Sequence, residues 1–203
     1  MKQVRMKRII YCMILFIITT MQAFGQNKGM VKDQLSIPGP IVILKYVYTL
    51  AWTSHPSPAY YKQEYISASD KIEKYKKMCL VDVLLGDAKA ADLAKAKMDE
   101  LKQLKQTNPI VNFEAFQKNG EVIIDFLISD NSADGSKVNI IERNVYRYRN
   151  FTDKNGKKGV MLFGISERAY GNDVTAFLAN LKKTKAELTN AVASFAIPDV
   201  SIK

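Results

Sequence analysis

Cysteine and histidine are almost missing from this chain of 203 residues, which has two of the first and one of the second. Cys12 lies in an apolar run near the amino end, so only Cys79 stands in the remainder. One cysteine and one histidine cannot supply the four Cys or His ligands of a structural zinc site. A single cysteine beyond the apolar run also rules out an intramolecular disulfide there. No GxxxxGK[ST] phosphate loop and no GxGxxG fingerprint occurs, so no cofactor is read from the sequence. "GISER", residues 164–168, has its serine in third place but lacks the closing glycine of a nucleophile elbow. Long apolar runs are lacking as well. The longest, Ile9 to Met21, has 13 residues, short of the roughly 20 that a spanning helix needs.

What the amino end does have is organised. Lys2, Arg5, Lys7 and Arg8 precede the apolar run, and Ala23-Phe24-Gly25 follows it in the small-x-small pattern of a signal-peptidase site. Residues 1–25 read as a signal peptide, which predicts a protein exported to the periplasm or secreted by a Gram-negative bacterium. The alternative is an uncleaved membrane anchor. Lipidation is not expected, because Cys12 sits near the start of the apolar run rather than at its end. The whole chain has 30 basic and 20 acidic residues; without the leader's four basic residues the net charge is +6 over 178 residues. That length suits one domain with a sizeable core.

Residues 26–40 carry glycine and proline without periodicity and read as an N-terminal arm, followed by a single domain over 41–203. "IVILKYVYTLAW" reads as one strand, "TSHPSP" as a break, and "YYKQEYI" as a short strand. "SASDKIEKYKK" is polar, with a turn or two of helix. "MCLVDVLLG" reads as a buried strand, with Cys79 a small buried hydrophobe. Asp87 is the expected N-cap of a helix in which Ala90, Ala94, Met98 and Leu101 form one apolar stripe, ending before Asn108-Pro109. Four strands then follow with no helix between them. Asn119-Gly120 marks a tight hairpin turn, because both residues tolerate positive φ. A last helix starts near Asp173 and stops before Pro198, its apolar stripe interrupted at Thr184-Lys185. The fold class is α+β: an antiparallel sheet with a four-strand meander and two main helices packed on one face.

"QEYISASDKIEKYKKMCLVDVLLGDAKAADLAKAKMDEL" resembles a stretch of small bacterial envelope proteins with a PsbP-like or DcrB-like fold. Glu64-Tyr65, Tyr75, the strand from Met78 to Leu85 and the helix after Asp87 follow the same order. The resemblance covers about residues 60–197. It implies that fold and an envelope setting, and it carries over no catalytic residue.

Three groups of residues are candidates for chemistry. His55, Tyr61 and Glu64 would line a pocket if the turn and the strand beside it converge, although alternation puts 61, 63 and 65 on one face and 60, 62 and 64 on the other. Asp82 interrupts an apolar strand; it is expected on the exposed side, and a buried carboxylate there would mark function. In "ERNVYRYRNF", Arg143, Arg147 and Arg149 share one parity and Tyr146 and Tyr148 the other. The tyrosines are expected to face the helices. The arginines are expected to face solvent, either as a solvated surface or as a contact for an anionic envelope component or a protein partner. Nucleic acid is not an expected partner, because binding it would need rings and charges on the same surface. "DNSADGSK", with Asp130, Asn131, Asp134 and Ser136, lacks the closing glutamate of an EF-hand loop and reads as a polar turn, so no metal ligand is assigned. The expected function is that of an exported envelope binding or accessory protein without catalysis. The alternative is an envelope hydrolase with its pocket near His55 and Glu64. The ligand and oligomeric state are left open.

Overall fold

The computed structural model describes residues 31–202. The signal peptide assigned to 1–25, and the first part of the arm, lie outside the described residues. Ten elements follow one another: β1 (Ile41–Ile43), β2 (Tyr46–Ser57), β3 (Tyr60–Ile66), β4 (Lys77–Leu85), α1 (Ala90–Thr107), β5 (Asn112–Lys118), β6 (Glu121–Asn131), β7 (Val138–Thr152), β8 (Lys158–Tyr170) and α2 (Asp173–Ser194). The strands form one antiparallel sheet in the order β1-β2-β3-β4-β8-β7-β6-β5. It is two four-strand meanders joined where β4 pairs β8, from Lys77 opposite Glu167 to Leu85 opposite Gly159. Among the described residues, no helix is long and apolar enough to cross a membrane.

The α+β class holds, but the helices do not share a face. Cys79, Val81 and Val83 of β4 pack with Met161, Phe163 and Ile165 of β8 in the cluster that holds Leu188 and Val192 of α2. The alternate residues, Leu80, Leu84, Val160 and Leu162, pack with Ala90, Leu93, Ala94 and Leu101 of α1. Successive side chains of a strand point to opposite faces, so the helices cover opposite sides. The physical reason is legible in β4: "MCLVDVLL" is nearly unbroken apolar sequence, as befits a central strand buried on both faces.

Three boundaries differ from the sequence reading. The stretch expected as one strand from Ile41 is a hairpin, with Val42 opposite Val47 and Ile43 opposite Tyr46. Its turn carries Leu44 at φ 54°, a conformation costing of order 1–3 kcal/mol for such a residue; no glycine signals it. "TSHPSP" is not a break, because β2 continues to Ser57. The ladder shifts register between Ser54 and Ser57, and a bulge accommodates the missing N–H of Pro56. Helix α1 starts at Ala90 rather than after Asp87. Its first N–H donates to Asn150 Oδ1 of β7 at 2.9 Å, and Lys89 N–H donates to Asp92 Oδ2 at 3.2 Å. The cap comes from a distant strand, which local sequence does not reveal.

Part of the expected arm is core. Leu35 and Ile37 are 0 % and 3 % exposed and lie on the α2 side of the sheet with Ile197, Val200 and Ile202. Two backbone segments meet there: Ser201 N–H donates to Leu35 O at 3.0 Å, and Ser36 Oγ donates to Ser201 O at 2.9 Å. Buried Gln63 ties this bent segment to the sheet. Its Oε1 accepts from Gln34 N–H at 2.7 Å and Leu35 N–H at 3.1 Å, and its Nε2 donates to Tyr65 Oη, which donates to Ile37 O.

Candidate functional site

The face of the sheet toward α1 carries a group of ionisable side chains around Asp82. On β3, Tyr60, Lys62 and Glu64 point there by alternation. Register sets Lys62 opposite Asp82, Glu64 opposite Leu80 and, on the other flank, Trp52 opposite Glu64. Tyr60 Oη donates to Asp82 Oδ2 at 2.6 Å. Lys62 Nζ stands 3.8 Å from the same oxygen, with its side chain 26 % exposed against 10 % for Asp82. The second oxygen, Asp82 Oδ1, is buried and accepts no hydrogen bond. Asp82 is therefore buried, contrary to the expected exposed placement, because both faces of β4 are covered.

The electrostatics follow from burial. Desolvation raises the Asp82 carboxyl despite the opposing Lys62 and Tyr60. Glu64 is pushed up to about 7, chiefly by burial, with Asp82 adding to the shift and Lys62 opposing it. The charge of Asp82 raises Lys62, so the ammonium is retained. The group thus holds a cation, a buried carboxyl with one oxygen that has no hydrogen-bond partner, and a second carboxyl that changes protonation near neutrality.

Further along the same face, Glu142 Oε2 accepts from Tyr75 Oη at 2.9 Å and from Arg168 Nε. The Arg168 guanidinium lies 4.2 Å from the Tyr75 ring centroid. This cluster clamps the 67–76 segment onto the sheet. Between the two groups, Ser166 Oγ donates to Asn144 Oδ1, and the amide Nδ2 of Asn144 is buried without a partner. The Tyr146 ring crosses Gly164 on β8, where a Cβ would meet its Cδ1 at 2.6 Å.

His55, Tyr61 and Glu64 do not converge. His55 is exposed and stacks on Tyr61, with centroids 4.0 Å apart and planes at 17°. Tyr61 belongs to the α2-side core, whereas Glu64 faces the other way. The pocket expected from these three residues is not formed. The Cys79 thiol is buried at 0 % exposure, and desolvation raises its pKa. In the 132–137 turn, Asp134 accepts from Ser132 Oγ, Ser136 N–H and Ser136 Oγ at 2.6, 3.1 and 2.8 Å. Among the described residues no group of three or more His, Cys, Asp or Glu side chains is placed to hold a metal ion.

The arginines keep their shared parity but not their expected exposure. Arg143 is 1 % exposed. Its Nε and Nη2 donate to the two oxygens of Asp125 at 3.1 and 2.8 Å, and Nη2 also reaches Lys185 O at 2.7 Å. Thr189 Oγ1 donates to Asp125 Oδ2 at 2.8 Å. Near the interruption in the apolar stripe of α2, the backbone carbonyl of Lys185 and the hydroxyl of Thr189 meet the buried ion pair. Arg147 donates to Glu121 at 2.6 Å and, through Nη1, to the carbonyls of Val192 and Phe195 at 3.1 and 2.9 Å. It caps the end of α2, where cations and donors are favoured. Arg149 is half-buried with its Nε unpartnered. Two of the three arginines seat a helix, and these three do not form an exposed cationic stripe. A cavity of about 90 Å³ lies beside the ion pair, between α2 and β5–β6, and Lys185 Nζ meets Glu114 Oε1 at 2.6 Å on its lining.

Sequence reasoning put Tyr60, Lys62 and Glu64 on one face and raised Asp82 separately, but did not join the two strands. The register of β3 against β4 joins them, and no local pattern announces it. A protein-family model matches residues 35–197, most of the chain. No curated protein matches it.

Proposed function

The chain belongs to the family that matches residues 35–197, and from that premise we propose that it is an exported binding or accessory protein of a bacterial envelope, without catalysis, on a PsbP-like or DcrB-like plan. The observation that carries the binding reading is the group of Tyr60, Lys62, Glu64 and Asp82 on one face of the sheet. Removing charges from water is costly, and apolar residues of similar volume commonly serve stability as well or better. Asp82 nevertheless keeps one buried oxygen without a donor. A small ligand rich in hydrogen-bond donors, such as a polyol or an amine, would supply that donor, with Lys62 and Glu64 at the approach and Trp52 flanking it. The export half of the proposal rests on the basic, apolar and small-x-small order of residues 1–25.

Chitobiose and spermidine at millimolar concentration are suitable probes, read by the thermal midpoint of the full chain. At least one should raise the midpoint of the wild type and leave the Asp82→Asn variant unmoved. If neither moves the wild type, and no envelope component is retained by the wild type and lost by Asp82→Asn, the binding reading fails. Recovery of intact Met1 in an alkali-washed membrane fraction would overturn the cleaved-signal reading.

A further inference from the structure

The two edges of the sheet are built differently. β1 is three residues long and follows Pro40, which offers no N–H. β5, at the other edge, runs seven residues in unbroken register with β6, from Asn112 opposite Leu127 to Lys118 opposite Glu121. Six of its seven residues are exposed, and Phe116 keeps 48 % of its surface in water. Short strands, prolines, bulges and charged side chains are the usual protection of an edge against pairing with another chain; β5 has seven residues with no proline or bulge, and its only charges are the opposite pair Glu114 and Lys118. The two-residue turn at Asn119-Gly120 has φ 53° and 77°. Such a turn closes on the hydrogen-bonded Lys118–Glu121 pair. The alternation of an antiparallel ladder then turns the N–H and C=O groups of Phe113, Ala115 and Gln117 away from β6.

We propose that β5 is a self-association surface, and that its occupant is β5 of a second copy of this chain, added antiparallel to make one continuous sheet. Keeping the two α2-side faces aligned allows only registers that pair residues of like parity. Centring on Glu114 sets two carboxylates against each other. Centring on Ala115 sets Glu114 opposite Phe116. Centring on Phe116 sets Glu114 opposite the second copy's Lys118, twice by symmetry, and Phe116 opposite itself. Opposite charges and aromatic pairs are the favourable cross-strand combinations, so the charge pattern selects the last register. It also makes Ala115 and Gln117 a hydrogen-bonded pair through their outward groups, and leaves Phe116 on the axis in a non-hydrogen-bonded pair, where side chains lie closest. Glu114 holds Lys185 through Oε1, which leaves Oε2 for the incoming lysine.

The test is sedimentation velocity on the full chain, expressed intact and purified as processed, from micromolar to several hundred micromolar, with circular dichroism to confirm that each variant is folded. The wild type should dimerise. Ala115→Pro removes an outward N–H and should abolish the dimer. Lys118→Glu replaces two attractive cross-strand pairs by two repulsive ones and should weaken the dimer by roughly tenfold or more. The charge-exchanged double variant Glu114→Lys with Lys118→Glu should restore it. A wild type that stays monomeric throughout, or a dimer that both single variants leave intact, overturns the proposal. A double variant that remains as weak as Lys118→Glu overturns the register.

Discussion

Gly164 of β8 and Tyr146 of β7 stand opposite each other in the ladder, and the tyrosine ring occupies the space that a side chain at 164 would need. Gly164→Ala must push the ring off Leu80 and Gly164. Overpacking of this kind costs about 1–3 kcal/mol, so the urea midpoint should fall. A midpoint equal to wild type would show that the ring moves aside freely.

The Arg143–Asp125 pair gives a sharper expectation. Removing one member of a buried pair leaves an uncompensated charge, at a cost of about 3–5 kcal/mol. Asp125→Ala should therefore lower the thermal midpoint far more than Asp99→Ala, which loses only the exposed contacts to Lys95 and Lys102. Equal effects from the two variants would contradict the packing of α2 over Arg143.

Glu64 sets a pH dependence whose sign can be worked out. Its folded pKa, about 7, lies above the ordinary 4.5 of a glutamate, so the folded state holds more protons in between. Stability contributed by this group is present below pH 4.5 and is lost as pH rises toward 7. Glu64→Gln should remove that loss and raise stability at pH 8 by about 1–3 kcal/mol after allowance for its partial exposure. Denaturant titrations of both proteins at pH 5 and pH 8 check this. A wild-type difference that survives in the variant would assign the dependence elsewhere.

His55→Ala should leave the fold intact and lose no more than the stacking on Tyr61, about 0.5–1.5 kcal/mol. Circular dichroism and a thermal scan suffice. A folded His55→Ala protein that had lost an enzymatic activity shown by the wild type would revive the hydrolase reading.

The strands and helices were legible largely because their patterns are local. The Ala90, Ala94, Met98, Leu101 stripe, the Asn119-Gly120 turn and the alternation through Tyr61, Gln63 and Tyr65 each follow from a period or a turn residue. The side of the sheet each helix covers was not legible from the helices. It was present in β4, whose unbroken apolar run implies two covered faces. The arginines were misread because parity gives a shared face but not what covers it. α2 buries Arg143 and holds the half-buried Arg147, through contacts with Lys185 and Val192 more than forty residues further along the chain. Asp82 was open to either reading from sequence, and its burial depends on Tyr60 and Lys62 arriving from another strand.

The pairing of β4 with β8, and of Leu35 with Ser201, has a consequence for the order of synthesis. A ribosome that has made the first four strands has made a meander whose inner edge, β4, waits for a partner up to 90 residues away, at Glu167 for Lys77. Leu35 and Ile37 wait longer still, for the 197–202 segment. A chain stopped before β8 leaves its most apolar strand as an open edge. Nascent and truncated forms are thus the species most prone to aggregate, and cooperative folding should begin only once both meanders have left the ribosome.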